Sequence, residues 1–147
     1  MLDARAEHMP HQLAVGFTSL RDKDWHCESL TYAQVRALAI KTAHNLQASL
    51  PPRRTNSKSP NGTPLVAVLA PSGLDLFAHI VALWRLGCGV LCIAPGSPAE
   101  AVANLLRLTE TTVVLAHASQ LAPARATIDT LEQAHVVEMM GASTDVI

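Results

Sequence analysis

The chain has 147 residues, 49% of them hydrophobic and 3% aromatic, and its formal net charge is −1. A length of this size is typical of one domain, and a nearly neutral charge gives no reason to expect nucleic acid or an anionic membrane as a partner. The first residues lack the basic and then apolar pattern of a secretory signal. The apolar run 74–86 is too short to cross a hydrocarbon core of about 30 Å. We therefore expect a cytoplasmic protein.

The cysteines and histidines do not predict a metal centre. An odd number of cysteines, at Cys27, Cys88 and Cys92, favours a reducing compartment over a disulfide framework. Cys88 and Cys92 fall on one predicted strand, about 13 Å apart, too far to share a zinc ion, so we predict that both are buried packing residues. His8 and His11 share the face of a predicted helix at 3–11, but no third ligand lies at a recognisable spacing.

The first half of the chain predicts mixed local structure. After the short helix at 3–11, extended pieces are expected at 14–18 and 25–30, with a charged turn between them at 21–24. Thr31 and Gln34 form a capping box, and apolar residues then recur at helical spacing to about Ser49. Residues 51–64 are rich in proline, serine and basic side chains, which predicts a flexible, solvated loop.

The second half alternates strongly apolar strands with helices. Strands are predicted at 65–70, 89–94, 112–116 and 135–139, and helices at 73–86, from Pro98 onwards, and within 119–134. Ser72 is expected to cap the first of these helices, and Gly87 to take the left-handed position after it. Ser97 and Glu100 are read as a second capping box. The alternation predicts a three-layer α/β fold with a mostly parallel sheet and crossover helices, as one domain over 1–147.

Ligands of such a sheet are expected at its carboxyl edge, and this edge has few side chains suited to binding phosphate or to catalysis. The carboxyl ends of the strands lead into 70–73, 94–97 and 117–119, where the helix starts at Ser72 and Ser97 offer free N–H groups. These loops lack the glycine spacing of a dinucleotide fingerprint and the lysine of a phosphate loop, so ordinary capping is favoured over phosphate binding. His79 is read as a hydrogen-bonded core histidine, with Asp75 one turn earlier as its partner. We assign no catalytic, cofactor-binding or metal-ligating residue to this chain.

Two motifs resemble a known superfamily. The sequence Leu-Thr-Tyr-Ala-Gln-Val at 30–35 and the segment from Ala82 to Pro95 resemble the first two core motifs of adenylate-forming enzymes, the AMP-dependent synthetases and ligases. This superfamily includes acyl-CoA synthetases, luciferases and the adenylation domains of nonribosomal peptide synthetases. The sequence Ala-Leu-Trp-Arg-Leu-Gly at 82–87 is similar to one found in fungal peptide-synthetase-like carboxylic acid reductases.

The resemblance implies a chemistry that the chain lacks the residues to perform. The complete domain of such a family uses ATP and Mg²⁺ to convert a carboxylic acid into an acyl adenylate, and then transfers the acyl group to a thiol. Neither 109–112 nor 61–64 reproduces the glycine- and lysine-bearing loop that this reaction needs. We therefore expect an N-terminal fragment of an adenylation domain, inactive alone, without ATP or Mg²⁺ of its own and prone to associate through exposed apolar surface.

Two other interpretations stay open. One alternative to the fragment is a non-catalytic module that docks on a synthetase or carrier protein. The other is a small independent enzyme with a flavodoxin-like architecture. The first predicts a stable, specific partner. The second predicts measurable exchange between ATP and pyrophosphate.

Overall fold

A computed structural model describes residues 1–21, 23–50 and 63–142 of the chain. The predicted flexible loop therefore lies, apart from its last two residues, outside the described part of the chain. The first half contains helix α1 (Leu2–His8), strands β1 (Leu13–Arg21) and β2 (Asp24–Thr31), and helix α2 (Tyr32–Leu46) with a 3₁₀ turn at Gln47–Ser49. The second half contains β3 (Leu65–Leu69), α3 (Leu74–Arg85), β4 (Gly89–Ile93), α4 (Ala99–Thr109), β5 (Val113–Ala116), a 3₁₀ turn at Ala118–Gln120, α5 (Leu121–Ile128) and β6 (His135–Glu138).

The four strands of the second half form one parallel sheet in the order β4-β3-β5-β6. Val68 of β3 pairs with Cys92 of β4 on one side and with Leu115 of β5 on the other. Each connection between these parallel strands contains a helix, because a parallel neighbour can be reached only by a crossover. The predicted α/β class and the parallel sheet are confirmed.

Helices cover both faces of this sheet. On one face α2 and α3 pack through Leu46 and Leu83 against Val66 and Val68. On the other face α4 and α5 pack against the alternate strand residues, with Leu106 at the centre. Val66, Ala67 and Val68 are all fully buried, which explains why β3 reads as a continuous apolar run rather than an alternating one. The three layers are those that the sequence predicts.

The N-terminal elements lie outside these three layers. Within the described residues, strands β1 and β2 bond to each other and to no other strand. They form an antiparallel hairpin, so the extended pieces expected at 14–18 and 25–30 are the two arms of one ribbon. The rings of Phe17 and Phe77 meet edge to face, 5.5 Å between centroids, which joins the hairpin to α3. Arg85 also donates to both carboxylate oxygens of Asp3, at 2.8 and 3.0 Å, and this joins α1 to α3.

Of three predicted helix ends, the start of α2 and the end of α3 are confirmed, and the end of α1 is wrong. The Thr31 hydroxyl accepts the Gln34 N–H at 3.3 Å, and the Gln34 side chain accepts the Thr31 N–H at 2.9 Å, so the first capping box is confirmed. Gly87 has φ 73°, the left-handed conformation expected after α3. Helix α1, however, ends at His8 and not at position 11. Met9 precedes Pro10, and a residue before proline disfavours the helical conformation.

The two serine caps predicted for the second half are wrong. Gly73 occupies the cap position of α3, and no side chain caps that helix. Pro98 occupies the cap position of α4, again without a side-chain cap, so α4 begins at Ala99 and no capping box forms with Glu100. The Ser97 hydroxyl donates instead to the Ala94 carbonyl at 2.8 Å. It closes the turn after β4, because a serine hydroxyl bonds nearby backbone groups in turns as readily as at a cap.

The prediction that both Cys88 and Cys92 are buried is half wrong. Cys88 lies before β4 and is buried, whereas Cys92 is exposed. Among the strands that the structure describes, β4 has one hydrogen-bonded neighbour, β3, on one of its two sides. Cys92 pairs with the fully buried Val68, so both side chains belong to the same face of the sheet, but Cys92 sits on the edge strand where the helical layer no longer covers that face.

We predict that Thr31→Ala lowers the free energy of unfolding by about 1 kcal/mol, because the first turn of α2 loses the acceptor for the Gln34 N–H. Urea denaturation followed by circular dichroism measures this change. Thr18→Ala, at an exposed position in β1, is the control and should change stability by less than about 0.5 kcal/mol. Equal effects of the two substitutions would contradict the assigned cap.

Candidate functional site

The carboxyl ends of the four parallel strands lie along one edge of the sheet. The segments that leave this edge are 70–73 after β3, 94–98 after β4, 117–120 after β5 and 139–142 after β6. Ligands of open parallel sheets bind outside this edge, so it is the first place to look for a functional group. The polar side chains that meet here are Asp75 and His117, from two different crossover connections.

Asp75 holds two of these segments together. It lies in the first turn of α3, and its Oδ1 accepts the backbone N–H of Ala142 at 2.6 Å. Its Oδ2 lies 3.5 Å from Nε2 of His117. The carboxylate therefore connects the start of α3 to the segment after β5 and to the segment after β6. Its side chain is 31% exposed, so water reaches the cluster.

His117 connects Asp75 to Ser119. Its Nδ1 lies 2.8 Å from the Ser119 hydroxyl oxygen and 3.2 Å from the Ser119 backbone nitrogen. The backbone N–H can only donate, so Nδ1 is the acceptor and the ring proton resides on Nε2, facing Asp75. His117 thus caps the 3₁₀ turn Ala118–Gln120 with its own side chain. The imidazole is fixed by contacts on both nitrogens.

The order carboxylate, imidazole and hydroxyl has the form of a nucleophilic triad, but its geometry favours a structural role. Ser119 is two residues from His117, and the same imidazole nitrogen that would take the hydroxyl proton already accepts the Ser119 N–H. A nucleophile also needs N–H donors aimed at a developing oxyanion. The role that these contacts support is to fix three segments of the sheet edge.

The described edge segments do not fit a nucleotide triphosphate. They contain no lysine or arginine, which would be needed to balance phosphate charge. The N-termini of α3 and α4 already carry carboxylates in their first turns, Asp75 and Glu100, and these acidic groups take the place that favours an anion. Within the described ranges, no group of three or more histidine, cysteine, aspartate or glutamate side chains could hold a metal ion.

His79 is buried in α3 and is 1% exposed. Its partner is Asp75, as predicted, but the contact runs to the backbone carbonyl, at 2.8 Å from Nδ1, and not to the carboxylate. Burial away from water lowers the pKa of His79 below its ordinary value of 6.5, although its hydrogen bond to Asp75 and the nearby charge of Asp75 act in the opposite direction. His79 is therefore neutral at neutral pH.

Sequence reasoning missed the contact that organises the edge. Asp75 was expected to face His79, one turn away on the same helix, whereas its carboxylate faces His117 and Ala142. The two histidines considered for a metal, His8 and His11, do not share a helix face, because α1 stops at His8. The signal for the Asp75 contact was the polar residue directly after β5, since parallel strands bring their carboxyl ends together.

Comparison with known proteins gives the family. The model of the AMP-binding enzyme family matches residues 2–145. The chain belongs to this family. It is 25% identical over 121 residues to N-(5-amino-5-carboxypentanoyl)-L-cysteinyl-D-valine synthase of Penicillium rubens, a match that covers 82% of this chain and 3% of the synthase.

Solved structures share the fold. The fatty acyl-adenylate ligase of L. pneumophila, in complex with acyl adenylate and pyrophosphate, aligns with TM-score 0.69 and 19% identity over 98% of this chain and 23% of its own. A putative long-chain-fatty-acid CoA ligase of Rhodopseudomonas palustris aligns with TM-score 0.70 and 17% identity over 97% of this chain and 32% of its own. The chain thus spans a small part of the length of each of these relatives. No helix in the described ranges is both long and apolar enough to cross a membrane.

We predict that Asp75→Asn weakens the contacts at the sheet edge. The asparagine amide can still accept a hydrogen bond from Ala142, but it lacks the negative charge that faces His117 and that strengthens the bond from Ala142 in the unmodified chain. The expected loss is about 1 kcal/mol of unfolding free energy, with faster hydrogen exchange at the Ala142 amide. Exchange followed by nuclear magnetic resonance (NMR) measures both. Asp129→Asn, at an exposed position after α5, is the matched control. Unchanged exchange at Ala142 in Asp75→Asn would contradict this role.

The lowered pKa of His79 predicts that the free energy of unfolding decreases at acidic pH. Above pH 6.5, the ordinary pKa that His79 has in the unfolded state, the residue is neutral in both the folded and the unfolded state. Its titration then does not change the free energy of unfolding. Below 6.5 the unfolded state binds the proton more readily, so the free energy of unfolding falls as the pH falls towards the native pKa. Urea titrations at pH 8.0 and 5.5 should show a smaller loss in His79→Phe than in the unmodified chain. His44→Phe, exposed on α2, should keep the full loss, and an equal reduction there would refute the assignment to His79.

Proposed function

We propose that these 147 residues serve as the N-terminal scaffold of an adenylate-forming domain. In its complete form, such a domain would activate a carboxylic acid with ATP, as an acyl adenylate, for transfer to a thiol. The observation that supports this most directly is the family match over residues 2–145, which begins in α1 and continues past β6. It covers all the helices and strands of the described structure.

We propose further that the chain alone does not catalyse adenylation. The polar side chains at the described carboxyl edge of the sheet include Asp75, Glu100, His117 and Ser119, and the edge segments contain no lysine or arginine. An unbalanced triphosphate beside two carboxylates would be repelled, by about 1 kcal/mol for each pair of charges even at 4 Å in water, and by more where water is excluded. ATP and Mg²⁺ would have to be held by residues outside this edge.

The similar proteins favour a carboxylic acid substrate without specifying which one. One has a name that describes joining amino acid units, and another was solved with an acyl adenylate and pyrophosphate bound. Both names refer to acyl chemistry, which supports the class of reaction. The acid itself and the acceptor thiol are chosen by residues that this edge does not contain.

Docking of the chain on a synthetase or a carrier protein, its self-association and its cytoplasmic location stay predictions. The side chain on α3 that an association would cover is Trp84, which is 64% exposed. An exposed tryptophan is a common anchor of protein interfaces, but a single one is also ordinary on a protein surface. The neighbouring Arg85 is already engaged with Asp3.

Exchange of labelled pyrophosphate into ATP tests the proposal. We expect the purified chain to give no exchange above the protein-free background with Mg²⁺ and a panel of amino, hydroxy and fatty acids, while a complete adenylation domain in the same buffer gives a clear signal. A parallel NMR titration with MgATP should leave the amides of 70–73, 94–98 and 117–120 unshifted. Exchange by this chain, or saturable shifts in those segments, would overturn the claim of inactivity.

A further inference from the structure

Strand β4 is one edge of the parallel sheet, and the direction of its peptide groups follows from one hydrogen bond. Gly89 donates its N–H to the carbonyl of Pro64 at 2.9 Å, so the peptide groups of Gly89 face β3. Successive residues of a strand direct their peptide groups to opposite sides. Those of Leu91 therefore also face β3, while those of Val90 and Cys92 point away from it. Within the described residues, no strand bonds to this outer side.

This edge lacks the features that protect a sheet edge from pairing. Natural edges are blunted by charged side chains, by proline or by bulges. Strand β4 contains none of these, and the sequence has no charged residue between Arg85 and Glu100. The opposite edge, β6, carries His135 and Glu138, which are both exposed. Of the two edges, β4 is therefore the one suited to pairing.

An apolar stripe on α3 lies beside the same edge. Leu76, Ile80 and Trp84 occupy every fourth position, so they share one side of the helix. Ala78 lies on the opposite side and belongs to the same buried cluster as Leu38 of α2. Helix α2 lies on the β6 side of the sheet, because its residues and those of β6 line one cavity. The strand order then directs the stripe towards β4.

A second copy of the chain fits this edge in an antiparallel register. With Leu91 on a two-fold axis, Val90 of each copy lies opposite Cys92 of the other. These are the residues whose peptide groups point outwards, and each such opposed pair exchanges two hydrogen bonds in an antiparallel ladder. Because β4 has no charged side chain, this register brings no charge against its own copy.

The same axis brings the two α3 helices together. Val90 packs with Leu83 of α3, so the stripe and the side chains of Val90 and Cys92 belong to the same face of the sheet. A five-residue strand pair alone is small beside the roughly 800 Å² that a stable interface buries on each partner. Trp84, which is 64% exposed, adds to this area, since a buried aromatic side chain covers about 150–250 Å².

We propose that β4 and the stripe of α3 form a two-fold interface through which two copies of this chain associate. The two sheets join through β4 into one continuous sheet, and the two α3 helices pack against each other on one of its faces. The association closes at a dimer, because each copy uses the same surface. This inference uses the edge and the helix alone and does not depend on the proposed scaffold role.

Sedimentation equilibrium of the 147-residue chain, with a reductant present, tests the association. The average mass should rise from 15.7 kDa towards twice that value as the concentration increases from about 1 µM to about 1 mM. In amide hydrogen exchange followed by NMR, Val90 and Cys92 should exchange more slowly at the high concentration. Failure here would leave the pyrophosphate-exchange result unaffected, so the two proposals are tested separately.

Val90→Pro removes an outward N–H and leaves the hydrogen bonds to β3 in place, as proline on a strand edge does. It should weaken the dimer about tenfold or more, since both copies lose a donor. Val136→Pro is the matched control on β6. His135 donates its N–H to Thr112 at 2.9 Å, so the peptide groups of Val136 point outwards too. This variant should dimerise as the unmodified chain does.

Trp84→Glu tests the helix stripe without altering the strand, and it decides the question should Val90→Pro fail to fold. It places a negative charge against its own copy and should abolish the dimer at concentrations where the unmodified chain is dimeric. Leu108→Glu changes a residue that is 72% exposed on α4, on the other face of the sheet, and should leave the dimer intact.

Three results would overturn the proposal. The first is a chain that stays monomeric over the whole concentration range or that associates beyond the dimer. The second is a dimer that Val90→Pro and Val136→Pro weaken equally, or that Trp84→Glu leaves intact. The third is slowed exchange at high concentration that spares Val90 and Cys92, since the contact would then lie elsewhere.

Discussion

The burial of β3 on both faces is the constraint on which the rest of the structure depends. Val66, Ala67 and Val68 are inaccessible to solvent, and a parallel strand of this kind is stable only when helices cover it from both sides. The alternating order of helices and strands meets that requirement, since α3 lies on one face and α4 and α5 on the other. Helix α2, which comes before the sheet in the chain, completes the first face.

The same architecture explains why the described carboxyl edge of the sheet carries acidic side chains at the starts of its helices. Crossover helices begin at this edge, and their exposed N–H groups favour negative charge. In this chain the acidic side chains Asp75 and Glu100 already lie in those first turns. Asp75 uses its position to hold His117 and the Ala142 amide, so the edge is held together by internal contacts between its own segments.

Local patterns in the sequence predict most of the architecture, and non-local contacts account for what they miss. Thr31 caps α2 and Gly87 ends α3 as expected, because both depend on residues only a few positions away. The exposure of Cys92 depends on strand order, which places β4 at the edge. The partners of Asp75 depend on which segments meet at the end of the sheet. For Ser97, two local bonds compete, and the pattern of residue types cannot rank them.

The edge position of β4 also has a consequence for how the molecule meets other chains. One side of this five-residue strand bonds to β3, and within the described residues no strand bonds to its other side. A row of peptide groups that face outwards is a template to which an extended segment of another polypeptide can align. The addition of one strand on this side would make β4 an interior strand of the sheet and would place Cys92 on that interior strand.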